Sequence, residues 1–185
     1  MKSHLHDHIT QEVVRIGAVR KLPYSQRLTR CFAATLRDGT YLPCVTAAYT
    51  EDHTMRVTPE TGEPFLQFHA TSMGQACYSA CIIHGDYVQS VEPSPYLLPE
   101  HLSSALAAAE YKDCYSLRVQ MRGGTTFTIA SGGELLFFRP PEGYSWLDVV
   151  NTSEGFDFSP ERKISPMVAF RCFLTGLPDA TIRAA

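Results

Sequence analysis

Cysteine, histidine and aspartate gather in one stretch of this chain, where His69, Cys77, Cys81, His84 and Asp86 follow one another. Thiolate and imidazole are the ligands that zinc prefers. On a helix, positions 77, 81 and 84 share one face, and two thiols and an imidazole would converge. On a strand, 77 and 81 still share a face while 84 turns away. The C-x3-C-x2-H spacing matches no common zinc knuckle, and the sequence supplies no second ligand pair. No metal is therefore assigned to His69, Cys77, Cys81 and His84, and no cofactor is implied elsewhere. The same residues could serve a thiol nucleophile, with Asp86 orienting His84 and His84 activating Cys81 or Cys77. Packing as small core residues is the simpler role for both cysteines. The catalytic residues stay unknown, with Cys81, His84 and Asp86 as the candidates.

Gln75 precedes Cys81 at a spacing that resembles the oxyanion glutamine and nucleophile of papain-like proteases. The resemblance covers seven residues and then fails, because those enzymes need a histidine far downstream and the last one here is His101. Phosphate-binding glycine loops, nucleophile elbows, H-E-x-x-H helices and EF-hand ligands are all missing from the sequence. Glu51-Asp52-His53 joins carboxylates to an imidazole, but consecutive residues seldom converge on one reacting atom, so a solvated loop is expected. His4, His6 and His8 sit near the chain start, where a metal would bind only adventitiously.

Charge is placed unevenly. From Val13 to Arg37 there are six basic residues, Arg15, Arg20, Lys21, Arg27, Arg30 and Arg37, and no acidic one, although the whole chain has a net charge of −3. Such a block can form a positive patch that steers anionic partners. Few aromatics accompany it, and the chain as a whole is acidic, which does not suit duplex nucleic acid. The sequence therefore points to a non-enzymatic binding module that engages an acidic protein or a small anionic ligand through 15–37. The alternative is a Cys/His-dependent enzyme or metal site centred on 77–84.

The elements that must position these residues belong to an ordinary globular chain of 185 residues, 44% of them hydrophobic and 19% charged. That composition excludes disordered and collagen-like proteins. With no long apolar run and no secretory signal, a cytoplasmic protein without a membrane span is expected, its six cysteines reduced. The Ser, Thr and Tyr content would also suit a homo-oligomer. Residues 1–8 read as a frayed terminus and 9–185 as a single globular domain.

The fold class read from the pattern is α+β: a mostly antiparallel sheet, possibly two packed sheets, with a helix near 99–112 and a short C-terminal helix near 166–175. Ile9, Val13 and Ile16 lie on one helical face, although the Val and Ile content also suits a strand. Pro99 followed by Ala and Leu marks the clearest helix. At the C-terminal end, Ser165 as N-cap, Pro166 at N1 and Gly176 beyond favour a helix, while the alternation of Val168, Phe170, Cys172 and Leu174 leaves a strand open. Segment 71–84 reads equally as helix or strand. Two hairpins centre on Arg37-Asp38-Gly39-Thr40 and Arg122-Gly123-Gly124-Thr125. Keeping Leu117, Val119 and Met121 on the face of Phe127 and Ile129 selects a three-residue loop over a two-residue one. The expected pairs are Met121 with Phe127, Val119 with Ile129, Leu36 with Leu42 and Ala34 with Cys44. Cys31 and Cys44 then fall on opposite faces and form no disulfide.

Overall fold

The computed structural model describes residues 4–21, 28–48, 67–69, 80–111, 114–133, 135–155 and 162–174. In chain order its elements are α1 (His4–Ile16), β1 (Ala18–Lys21), β2 (Leu28–Leu36), β3 (Tyr41–Ala48), β4 (Gln67–His69), β5 (Ala80–His84), β6 (Val88–Glu92), α2 (Glu100–Ala108), β7 (Glu110–Tyr111), β8 (Cys114–Met121), β9 (Thr126–Ser131), β10 (Val149–Glu154), β11 (Lys163–Ile164) and β12 (Phe170–Phe173). Two short 3-10 turns, Gly85–Tyr87 and Trp146–Asp148, precede β6 and β10. The fold class is α+β: two sheets, mostly antiparallel, and two helices form among the described residues. No described helix is long and apolar enough to cross a membrane. The chain gathers into two compact units, one up to Pro95 and again from Ala169, the other Tyr96–Val168.

In the first unit the strand order is β1-β2-β3-β12-β5-β4, with β6 also paired to β2. Helix α1 buries Ile9 and Val13, one turn apart, and keeps Arg15 on its exposed side. The two apolar residues pack with Phe32, Leu36, Val45 and Ile83 of the sheet. The helix includes positions 4–8 and ends at Gly17, whose N–H donates to Val13 O at 2.9 Å.

The C-terminal helix expected near 166–175 is not formed; residues 170–173 are strand β12. It runs parallel to both β3 and β5, pairing Cys172 with Ala47 on one side and with Ile83 on the other. A central strand gains backbone hydrogen bonds from two neighbours, and Cys172 and Leu174 are fully buried. Those long-range bonds outweigh the local capping pattern of Ser165 and Pro166, which a short helix needs but cannot enlarge upon.

In the second unit the order is β10-β8-β9-β11, with β7 also against β8. Tyr115, Leu117, Val119 and Met121 of β8 are buried, as the alternation requires, and Leu102 and Leu106 of α2 join the same core. Helix α2 stops at Ala108, short of the expected 112, because Glu110 and Tyr111 pair with Tyr115 and Cys114. Pro99 stands at the N-cap.

Both hairpins close with three-residue loops, but two residues away from the expected pairing. Val119 opposes Phe127 and Leu117 opposes Ile129, while Met121 N donates to Thr125 O at 2.7 Å. The loop is therefore Arg122-Gly123-Gly124, and both glycines take positive φ, 94° and 90°, where a β-carbon would be strained. A shift of two preserves the face of every side chain, so the hydrophobic alternation alone did not separate these registers. In the first hairpin Ala34 opposes Leu42, and a bulge after Phe32 carries Cys31 opposite Thr46. Cys31, Cys44, Cys114 and Cys172 are free thiols.

Candidate functional site

The basic segment is organised around the corner where α1 turns into β1. A helix leaves its last carbonyls without intrahelical partners. Here Arg30, on β2, reaches back to them: Nη1 donates to Val14 O at 2.8 Å and to Gly17 O at 3.1 Å. The register explains how, since Val19 of β1 lies directly opposite Arg30. A guanidinium is suited to this place, because a cation beside a helix C-terminus also meets the negative end of the helix dipole. Arg30 is only 8% exposed. It positions the corner rather than presenting itself to a partner.

Gly17 allows that approach. A β-carbon there would sit 2.6 Å from Val13 O and 3.1 Å from the β-carbon of Arg30. The constraint is crowding by backbone and not the sign of φ.

Arg15 and Arg20 flank the corner. Arg15 is exposed and donates to Glu12 through Nε at 3.2 Å and Nη2 at 2.6 Å. The hydrogen bond from Arg15 holds the Glu12 carboxyl below its ordinary value, and Glu12 raises Arg15 in return. Arg20 is half-buried, with Nη1 donating to Val19 O at 2.8 Å. Lys21 ends β1, an outer strand of its sheet. Arg27 lies outside the described residues.

Arg37 stands apart. It occupies the β2–β3 turn, exposed, beside Asp38, whose carboxyl is held low by the backbone N–H of Thr40 at 2.9 Å. Arg20 is opposite Thr29, so the length of β2 separates it from Arg37 by about 25 Å at ~3.3 Å per residue. That is roughly three Debye lengths at physiological salt. Positions 15, 20 and 21 therefore lie near one end of the sheet, with 20 and 21 on opposite faces of β1, and position 37 lies at the other end.

For the second candidate cluster, Cys77 and Gln75 lie outside the described residues. Positions 69, 81 and 84 fall on strands, and 80–84 is β5. Strand periodicity assigns positions 81 and 84 to opposite faces. Position 69, on β4, is opposite Ala80 and hence about 13 Å along the sheet from position 84. Asp86 is exposed in the 3-10 turn that follows. Among the described residues no three His, Cys, Asp or Glu side chains come together as a metal site. Cys172, in the adjoining strand, is fully buried, and burial, with a smaller contribution from Asp86, pushes its thiol far up. It is a poor nucleophile at neutral pH.

One cation that the charge count did not single out is Arg118, on the polar face of β8. Its alternation with Leu117 and Val119 was the available signal. Against this geometry, comparison of the chain with family models, curated proteins and solved structures finds no match.

Proposed function

We propose that this protein is a non-enzymatic binding module that engages an acidic protein or anionic ligand through the basic segment 15–37. The observation that carries the reading is the α1–β1 corner. A buried arginine fixes the backbone there, and Arg15, Arg20 and Lys21 are set around it on a helix end and an outer strand. Between Val13 and Arg37 the chain has no carboxylate, although Glu12, one residue before that span, pairs with Arg15. Arg30 contributes by holding the corner, and Arg37 adds a separate positive charge at the far end of β2.

The test replaces Arg15, Arg20, Arg27 and Arg37 with Gln, leaves Arg30 intact, and measures binding of a polyglutamate peptide by calorimetry. The exposed substitutions at 15 and 37 should each shift stability by about ±0.5 kcal/mol, half-buried Arg20 loses its bond to Val19 O as well, and circular dichroism checks that the variant is folded. Binding should be lost. A folded variant that binds the peptide as tightly as the parent chain disproves the reading.

A further inference from the structure

We propose that the polar face of the second sheet binds a small oxyanion, a carboxylate or a phosphate, on Arg118. This site goes beyond the basic segment, because Arg118 lies outside 15–37 and in the other compact unit. The register builds it. Leu117, Val119 and Met121 turn into the core, so Ser116, Arg118 and Gln120 share the opposite face. Arg118 has Ser153 of β10 on one side and Thr128 of β9 on the other. Gln120 likewise lies between Asn151 and Thr126. Lys163 of β11 is opposite Thr128 and adds a second positive charge to the same face.

The result is a concavity of about 150 Å³ lined by Arg118, Gln120, Thr126, Asn151, Thr152 and Ser153. Its described lining offers hydroxyl, amide and guanidinium donors and no carboxylate. Arg118 is half-buried, its Nε is shielded from solvent, and that atom has no hydrogen-bond partner. Among the described residues the guanidinium makes no ion pair either.

A shielded donor without a partner is rare in a folded protein and calls for an explanation. The backing of the group supplies one. A β-carbon on Gly155 would lie 3.6 Å from Cζ and 3.7 Å from Nε and Nη2 of Arg118, an ordinary packing distance, so residue 155 packs against one edge of the guanidinium and shields Nε. Nε is sealed, so the Nη1–Nη2 edge is the one an oxyanion can reach, and that planar pair of donors suits a bidentate oxyanion, the geometry in which Arg exceeds Lys. The neighbouring hydroxyls and amides can donate to the remaining oxygens.

The experiment follows the amide spectrum of the labelled full chain while inorganic phosphate, and separately acetate, is added against chloride at constant ionic strength. Saturable shifts confined to β8, β9 and β10 are expected, and the anion that binds more tightly identifies the source of the oxyanion. Arg118→Gln should weaken binding by about tenfold or more. Ser153→Glu, at an exposed position opposite Arg118, should do the same by supplying the carboxylate within the chain, and it carries the test if Arg118→Gln does not fold. The chain with Arg15, Arg20, Arg27 and Arg37 changed to Gln should keep the full response. The proposal is overturned if neither anion gives saturable shifts, if Ser153→Glu binds as tightly as the parent, or if the response vanishes in that fourfold variant.

Discussion

Replacing Arg30 with Met separates its role in the fold from a role in recognition. Met keeps an unbranched apolar stem of similar reach and removes every donor. Two hydrogen bonds disappear, at 2.8 and 3.1 Å, and the carbonyls of Val14 and Gly17 lose the group that served them. A hydrogen bond from a charged group contributes about 1.5–3 kcal/mol, and two bonds from the same nitrogen do not add fully. The expected loss is therefore about 2–4 kcal/mol, a large part of the 5–15 kcal/mol that typically holds a domain together. Urea unfolding should be followed by far-UV circular dichroism, because the single tryptophan, Trp146, lies in the other unit. Hydrogen exchange localises the effect: amides at the end of α1 and in β1 should exchange about 30- to 1,000-fold faster, the range that corresponds to the predicted loss. Arg37→Gln, in an exposed turn, serves as the reference. If Arg30→Met costs no more than that reference, about 0.5 kcal/mol, the corner is not held as argued.

Gly17→Ala should destabilise the first unit by about 1–3 kcal/mol in the same assay, since the added methyl meets Val13 O at 2.6 Å and backbone yields little; no loss would show that the corner has room. Because the Cys172 thiol is raised by burial, its neutral form is favoured in the fold, so its contribution is present below the ordinary thiol value of 9.0 and is lost as pH rises beyond it. Cys172→Ala should flatten that alkaline decline, and in the native chain exposed Cys114 should be alkylated well before Cys172. Asp148 accepts from the Ser145 N–H at 2.8 Å, which lowers its carboxyl, so its contribution is present above the ordinary value of 3.8 and is lost as pH falls through the folded one. Trp146 fluorescence should report this change, and Asp148→Asn should remove the pH dependence.

The sequence made legible whatever depended on side-chain alternation. Leu117, Val119 and Met121 are buried with Ile129, and Leu102 and Leu106 line α2, as their periods require. What alternation leaves degenerate was not legible: a shift of two residues moved the second hairpin's register without changing a face, and in the first hairpin the bulge after Phe32 slipped the pairing by one more residue, so that positions 31 and 44 do not fall on the opposite faces expected of them. Long-range pairing was equally hidden. Phe170–Phe173 carries helix-capping signals around a strand pattern, and only the parallel partners β3 and β5, far away in sequence, decide between them. The charge block was visible as a count, but its directions were not. A bare sequence does not show that Arg30 is sealed against the carbonyls of α1 while Arg37 is solvated, since both are simply cations on one hairpin. Arg118 escaped notice for the opposite reason: it stands alone in sequence, and its significance comes from Ser153 and Gly155 across the sheet.

The central claim is recognition of an acidic partner by the 15–37 segment, and the salt dependence of that binding tests it most directly. The affinity of the unmodified chain for polyglutamate should be measured at low and at physiological ionic strength, where the screening length falls to about 8 Å. Binding that weakens as salt is added, and that disappears when Arg15, Arg20, Arg27 and Arg37 are changed to Gln, is the predicted result. Binding that ignores salt, or that the fourfold variant retains, contradicts it.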